Sequence, residues 1–567
     1  MSRSGIAFDH VSFAYAGQPV LDDVSFAIPE GEFCLLVGAT GAGKSTLLKS
    51  INGLVPHFTG GTMSGTIRVA GRDVRGSTPA DLADLVGYVG QDPLAGFVTD
   101  EVELELAYTA EQLGLDPAAM RKRVTEIVDL LGLADVRGRA LAQLSSGQRQ
   151  RVAIGSALVA GPAALVLDEP TSALDPTAAD EVLSALHRLV HDLGVTVLLA
   201  EHRLERVAQY ADSALLLNGG KVLGGPVTEV LAASPIAPPV VELGRLAGWP
   251  GPPVTIREAR RHAAELRETL AGHLPTDRTP PFDRAPFNQA PKAARSGRRR
   301  SAPPDAPNGP PLLEARGVTV DYPGVRAVNG IDLVAGRCER IALMGRNGSG
   351  KSSLLWALQG TGKRSGGQIA IGGTDPASRR PGERRQLAGL VPAEPADLLY
   401  AETVGAECAS ADDDGRAPQG TCAKILVDLV EGIDESTHPR DLSEGQRLAL
   451  ALAVALTAAP PLLLLDEPTR GLDYPAKAAL AARLGKLAEA GHCVVVSTHD
   501  VEFCAEFASR VVILSDGEVV ADGPARQIVA ASPMFAPQVE KVLPGWLTVG
   551  EVAEALGGSG IGDDADD

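Results

Sequence analysis

F-C-L-L-V-G-A-T-G-A-G-K-S, Phe33 to Ser45, decides the fold. Apolar residues run without a charge into a glycine-rich turn, and S-T-L-L-K-S-I follows as a helix. Strand, loop and helix in that order make a phosphate cradle. Glycines let backbone N–H groups wrap an anion, and the helix N-terminus adds positive potential. In the pattern G-x-x-x-x-G-K-[ST], Lys44 is expected to pair the β- and γ-phosphates of a nucleotide and Ser45 to ligate Mg²⁺. Gly38, Gly41, Gly43 and Thr46 complete this first cradle.

The same reading recurs downstream. R-I-A-L-M-G (Arg340 to Gly345) enters G-R-N-G-S-G-K-S, so Gly345, Gly348, Gly350, Lys351, Ser352 and Ser353 form the second cradle. Each cradle is followed by an L-S-x-G-Q string, at Leu144 to Gln148 and at Leu442 to Gln446. Each then has an apolar run ending in D-E-P-T, and a lone His after a second apolar run, His202 and His499. The distance between copies is nearly constant, so the chain holds two copies of one nucleotide-binding unit. The L-S-x-G-Q string has no task inside its own unit and is expected to face the other.

Ala164 to Asp168 and Leu462 to Asp466 read as buried strands ending in a carboxylate. Asp168 and Asp466 can hold the Mg²⁺ shell. Glu169 and Glu467 come next, on the opposite side of the strand end, placed to polarise an attacking water.

The 567 residues suit two domains of about 230 residues plus appendages, each long enough to bury a large core. Apolar residues make up 44% and aromatics 4%, as in buried parallel sheets. A net charge of −19 disfavours a general polyanion-binding role, so no nucleic-acid partner is expected. Six cysteines without C-x-x-C spacing read as free thiols. The start of the chain lacks an apolar signal core. Leu448 to Leu465 is uncharged over eighteen residues, but Pro460 and Pro461 make it a helix followed by a strand, not a membrane span.

The domains expected are 1–235 and 312–533, α/β in class, each with a mainly parallel sheet and flanking helices. Appendages follow at 236–272 and 534–567, the latter ending in an acidic tail. They share a pattern, S-P-I-A-P-P-V-V-E-L from Ser234 and S-P-M-F-A-P-Q-V-E-K-V from Ser532. The Pro-rich stretch 273–311, with R-S-G-R-R-R at Arg295 to Arg300, is expected to be a disordered linker. As a coil its ends average roughly 35 Å apart, enough to join two domains.

Both halves resemble the ATP-binding-cassette (ABC) ATPases, P-loop NTPases with an added helical subdomain. L-S-S-G-Q-R and L-S-E-G-Q-R look like that family's signature. The resemblance implies ATP and Mg²⁺ as ligands and two composite sites. Site one would take Lys44, Ser45, Gln91, Asp168, Glu169 and His202 from the first domain, with Ser443 and Gly445 from the second. Site two would take Lys351, Ser352, Asp466, Glu467 and His499, with Ser145 and Gly147 from the first. His202 and His499 match the switch histidine, and Tyr15 and Tyr322 the aromatic that stacks on adenine. Asp175 and Asp473 match the loop between the sites.

The copies differ. G-Y-V-G-Q-D-P (Gly87 to Pro93) has Gln91, whereas G-L-V-P-A-E-P (Gly389 to Pro395) has Ala393 in its place. In the family that glutamine serves Mg²⁺ and water, so site two is expected to be slower. Between loop and signature, Glu101 to Leu113 reads as a good helix, whereas Ala409 to Gly420 is poor in helix formers.

Q-D-P-L-A-G-F-V-T-D-E-V-E-L-E-L-A-Y (Gln91 to Tyr108), D-E-P-T-R-G-L-D-Y (Asp466 to Tyr474) and the tails are similar to the energy-coupling factor (ECF) importer ATPases. That implies a transmembrane T-component, a substrate-binding S-component for a vitamin or metal ion, and a peripheral place on the cytoplasmic face of the membrane. The alternatives are the tandem ATPase of a sugar importer, working with a permease pair, and a soluble ABC-F translation factor. The helix-breaking linker and acidic charge argue against the last.

Overall fold

The computed structural model describes residues 4–271, 273, 310–532 and 535–557. The expected linker with its Arg295 to Arg300 cluster lies almost wholly outside the described residues, as does the acidic end of the chain. The chain divides into two compact units, Met1–Arg261 with Arg470–Pro475, and His262–Thr469 with Ala476–Asp567.

In the first unit Phe33–Val37 lies inside a six-stranded sheet. Its order is Lys221–Pro226, Ser213–Asn218, Phe33–Val37, Thr196–Ala200, Ala164–Asp168, Val86–Val89. Every neighbouring pair is parallel except the first, an antiparallel edge. Phe33–Val37, Ala164–Asp168 and Thr196–Ala200 are buried at every position. Burial on both faces explains why these strands are aliphatic throughout and do not alternate. A second, antiparallel sheet of four strands runs Gln18–Pro29, Ser4–Tyr15, Thr62–Val69, Arg72–Asp73. Phe8 and Phe26 stack across it with centroids 4.5 Å apart. The helices Val102–Gln112, Pro117–Leu130 and Ser146–Leu158 form the helical part. The Ser156 hydroxyl, donating to Glu105 O at 3.0 Å, ties two of them together.

The second unit repeats this plan. Its six-stranded sheet runs Ala388–Val391, Leu462–Asp466, Cys493–Ser497, Arg340–Met344, Arg510–Ser515, Glu518–Pro524. The last pair is antiparallel and the rest are parallel. Its antiparallel sheet has three strands, Val325–Ala335, Leu313–Tyr322 and Gly366–Ile371. The uncharged run Leu448 to Leu465 is split as its prolines require, into helix Glu444–Leu456 and strand Leu462–Asp466. Among the described residues no helix is long and apolar enough to cross a membrane. All six cysteines are free thiols, and burial pushes those of Cys34 and Cys504 up to about 12.

One local expectation fails. Despite its composition, the part Ala409 to Gly415 of this stretch lies within helix Val404–Gly415, and 416–420 follow outside it. Weak propensity is overridden at both ends and on one face. The Thr403 hydroxyl caps the start through Ala406 N, 3.2 Å away, and Arg416 ends the helix in a left-handed conformation, φ 55°. Val404, Cys408 and Ala411 are buried. Asp412 accepts from Gly420 N at 2.6 Å and Cys422 N at 2.8 Å, fastening the next helix to this one. Propensity is a weak prior against such tertiary ties.

Both appendages begin their helices in one way. Thr255 and Glu258 cap helix Ile256–His262, Glu258 N bonding Thr255 Oγ1 at 3.2 Å. Thr548 and Glu551 do the same for Val549–Ala555, also at 3.2 Å. Glu258 and Glu551 reach back to Val254 N and Leu547 N at 3.1 and 2.8 Å. V-T-I-R-E from Val254 and L-T-V-G-E from Leu547 thus share a capping device, downstream of the S-P stretches.

In the second unit Lys477 and Asp500 form an ion pair at 2.7 Å, with side chains 6% and 2% exposed. Asp500 also caps helix Val501–Phe507 through Phe503 N at 3.2 Å. Asp500→Ala removes both and leaves a buried ammonium without this carboxylate, so a loss of about 3–5 kcal/mol is expected. Calorimetric unfolding of the full chain checks it, as a lowered midpoint for the transition of this unit.

Candidate functional site

The two cradles have the geometry their sequences ask for. Helices Lys44–Ile51 and Lys351–Gln359 start after left-handed glycines, Gly43 (φ 101°) and Gly350 (φ 99°), with no side chain capping either. Their first N–H groups are therefore left for another acceptor. Lys44 Nζ bends back to Gly38 O at 2.7 Å and Ala39 O at 3.0 Å, and Lys351 Nζ to Gly345 O at 2.9 Å and Arg346 O at 3.2 Å. Burial lowers the pKa of Lys44, against the opposing pull of Glu169 and Asp168.

At the strand ends the carboxylates meet the cradles. Ser45 opposes the rise in the Asp168 pKa and Ser352 that of Asp466, and the Ser497 hydroxyl donates to Asp466. A hydroxyl paired with a carboxylate beside a phosphate cradle is an oxygen set that suits Mg²⁺, completed by phosphate and water. Burial raises the pKa of both Asp168 and Asp466. Ser349 Oγ in the second cradle is buried with no protein partner, which fits a loop built to receive a polar ligand.

Glu169 and Glu467 then leave the strands in left-handed conformation, φ 50° and 47°. Non-glycine residues rarely sit there, and such strain gathers at functional sites. Their N–H groups are held by Ala200 O and Ser497 O, each at 2.9 Å. The turn sends each Glu away from its Asp and towards its histidine. Glu169 Oε1 lies 2.8 Å from His202 Nε2, and Oε2 accepts from Gln91 Nε2 at 3.1 Å. Burial raises the Glu169 pKa, but His202, Lys44 and Gln91 outweigh it and hold the carboxyl below its ordinary value. Glu467 Oε2 lies 2.8 Å from His499 Nδ1, the other ring nitrogen, and Glu467 Oε1 is 3.8 Å from Lys351 Nζ. Ala393 offers no amide there.

Other expected site residues are more dispersed. Tyr15 packs edge-on against Phe13 and its hydroxyl is 3.4 Å from Thr46 Oγ1, while Tyr322 is 44% exposed. Ser353 lies on the helix with Lys351 and Ser352. The L-S-x-G-Q strings do have a task within their own units, contrary to the sequence reading. Ser145 and Gln148 form a reciprocal capping box for helix Ser146–Leu158, at 3.2 and 3.0 Å. Ser443 and Gln446 do so for Glu444–Leu456, at 3.3 and 3.0 Å. The S-x-x-Q spacing was the available signal. Gly147 is buried against Ala178, and Gly445 occupies the same position in its own helix. Sequence reasoning also missed Glu201, which is buried beside His202. Setting A-E-H-R (Ala200 to Arg203) against S-T-H-D (Ser497 to Asp500) would have exposed it.

The family described as ABC transporter matches this chain twice, over residues 21–172 and 328–470. An ABC transporter ATP-binding protein of Streptomyces coelicolor is 57% identical over 97% of this chain and 100% of its own length. This chain belongs to the ABC transporter family. Another ATP-binding protein of such a transporter, from Methanosarcina acetivorans, is 33% identical over 93% of this chain and 86% of its own. A solved structure, cbiO1 from Clostridium perfringens, is titled as part of the ABC transporter complex cbiONQ. It is 30% identical, covers 41% of this chain and 92% of that one, and has a TM-score of 0.38. The chain is thus an ABC ATPase with two cassettes, and its α/β sheets are those of the P-loop NTPases.

The cradle of the second cassette gives a test of its geometry. Gly348 (φ 82°) and Gly350 (φ 99°) are both left-handed, but a Cβ on Gly350 would lie 2.1 Å from Ala327 O, whereas one on Gly348 meets nothing within 4 Å. Gly348→Ala is expected to cost only the backbone strain, about 1–2 kcal/mol. Gly350→Ala must also displace backbone and is expected to cost clearly more. Thermal unfolding of the two variants side by side reads the difference.

Proposed function

We propose that this ABC ATPase is the energy-coupling subunit of an importer of the ECF type, for a vitamin or a metal ion. It would work at the cytoplasmic face of the membrane beneath a transmembrane T-component and an S-component that selects the cargo. The Gln91 to Tyr108 stretch and the paired tails support the ECF reading over a sugar-type tandem ATPase. The observation that carries the catalytic part is the cluster of Gln91, Glu169 and His202 at the end of a buried strand, beside Lys44.

In this reading Lys44 and the first N–H groups of its helix hold the β- and γ-phosphates of ATP. Ser45 and Asp168 would hold Mg²⁺, whose charge would offset that of the phosphates. Glu169, held as a carboxylate, accepts a hydrogen bond from the attacking water, and Gln91 orients both. Water attacks the γ-phosphorus, the bond to the β-phosphate oxygen breaks, and ADP and phosphate leave. His202 contacts the γ-phosphate and reports its loss to the loop behind it. Lys351, Ser352, Asp466, Glu467 and His499 do the same in the second cassette, without a glutamine.

Lys44→Ala removes a charge-assisted phosphate contact with no nearby substitute, and substrate uptake is expected to collapse. Cells carrying the variant with all membrane partners provide the measurement, and near-normal transport would contradict the role given to Lys44.

The first cassette is expected to carry most of the turnover. An oriented polar group in a metal's outer shell is worth about 10- to 100-fold in activity. Glu169→Gln should therefore depress steady-state ATPase of the reconstituted transporter more than Glu467→Gln. A larger loss from Glu467→Gln would reverse the assignment. Affinity purification from membranes tests the partners: a T-component supports the ECF reading, a permease pair the sugar importer, and ribosomes the translation factor.

A further inference from the structure

We infer that Glu201 is a positioning residue of the first cassette, tying the turn that carries Glu169 to the loop that carries His202. The inference rests on Glu169 and His202 being the groups that face water and the terminal phosphate. Glu201 is 2% exposed. One carboxylate oxygen accepts from Thr171 N at 2.8 Å and also from the Thr171 hydroxyl. The other accepts from His202 N at 3.1 Å. Thr171 follows Glu169 in D-E-P-T, so a single buried side chain spans both segments that build the 2.8 Å contact between Glu169 and His202.

The second cassette lacks this tie. Thr498 stands at the corresponding position, and its hydroxyl accepts from Asp500 N at 3.0 Å within its own loop. Thr469, the counterpart of Thr171, is 1% exposed, and its hydroxyl has no protein partner. The two histidines also meet their glutamates through different ring nitrogens, Nε2 in the first cassette and Nδ1 in the second. The copy with the tie therefore differs from the copy without it in the orientation of the catalytic pair.

The carboxyl is not a comfortable filler. Burial, and then the charge of Glu169, push its pKa up. Only its donors offset the cost of that burial. Those donors stay in place only while turn and loop keep their relative position, so neither segment moves alone without stranding a buried oxygen.

The test uses the full chain and MgATP. Glu201→Thr copies the residue that the second cassette accommodates at this place. It is expected to lower kcat about 10- to 100-fold with KM for ATP essentially unchanged, the pattern of a lost transition-state contact. Glu201→Gln keeps its size and one acceptor, and should fall between Glu201→Thr and the unaltered chain. An unchanged kcat in Glu201→Thr overturns the inference, as does a loss that Glu201→Gln shares in full or one matched by a rise in KM. Lys44→Ala is run in parallel. If it leaves turnover intact, the reading of the first site fails, and this inference with it. If it abolishes turnover while Glu201→Thr does not, only the role of Glu201 fails.

Discussion

Each unit depends on the way one buried parallel strand ends. Ala164–Asp168 and Leu462–Asp466 lie among other strands with every residue buried, so the first charged groups they carry are the carboxylates at their ends. Asp faces the cradle serine and Glu must face elsewhere. The left-handed conformation at Glu169 and Glu467 achieves this within one residue, held by the N–H bond to the neighbouring strand. A glycine would take that turn at no steric cost but would bring no carboxylate, so the strain is accepted where the chemistry sits. The other site residues are then placed by neighbours of the same strand: the loop after Val86–Val89 brings Gln91, and the loop after Thr196–Ala200 brings His202.

The two cassettes meet this constraint with different supporting groups. In the first, Glu169 is flanked by an amide and an imidazole, and Glu201 braces the segments behind them. In the second, the amide is replaced by Ala393, the brace by Thr498, and the histidine presents its other nitrogen. The second unit spends its buried charge differently, on Lys477 and Asp500 directly after His499. Both copies keep the cradle, the metal-suited hydroxyl and carboxylate, and the glutamate. What separates them is how firmly the glutamate is oriented.

Much of this was legible in the sequence, because the decisive strands are continuous aliphatic runs bounded by glycines or acids. Phe33–Val37, Ala164–Asp168 and Leu462–Asp466 follow their sequence patterns within a residue. Legibility failed where contacts beyond local composition decide. Ala409 to Gly415 is helical because Thr403 caps the helix before it, Arg416 closes it in a left-handed turn and Asp412 fastens it to the next helix. The antiparallel sheets were not anticipated; each joins a sequential hairpin to a strand far along the chain, as where Ile6 faces both Ile28 and Val69. Glu201 differs from its counterpart Thr498 in the sequence, but only the fold shows it buried against Thr171.

The account stands on the inequality of the two sites, and a rapid-quench measurement tests it most directly. The full chain, loaded with ATP at both cassettes, is started with Mg²⁺ and phosphate formation is followed through the first turnover. Two phases of equal amplitude are predicted, separated by about 10- to 100-fold in rate, with Glu169→Gln removing the faster one. A single phase accounting for both nucleotides, or loss of the faster phase in Glu467→Gln instead, would contradict it.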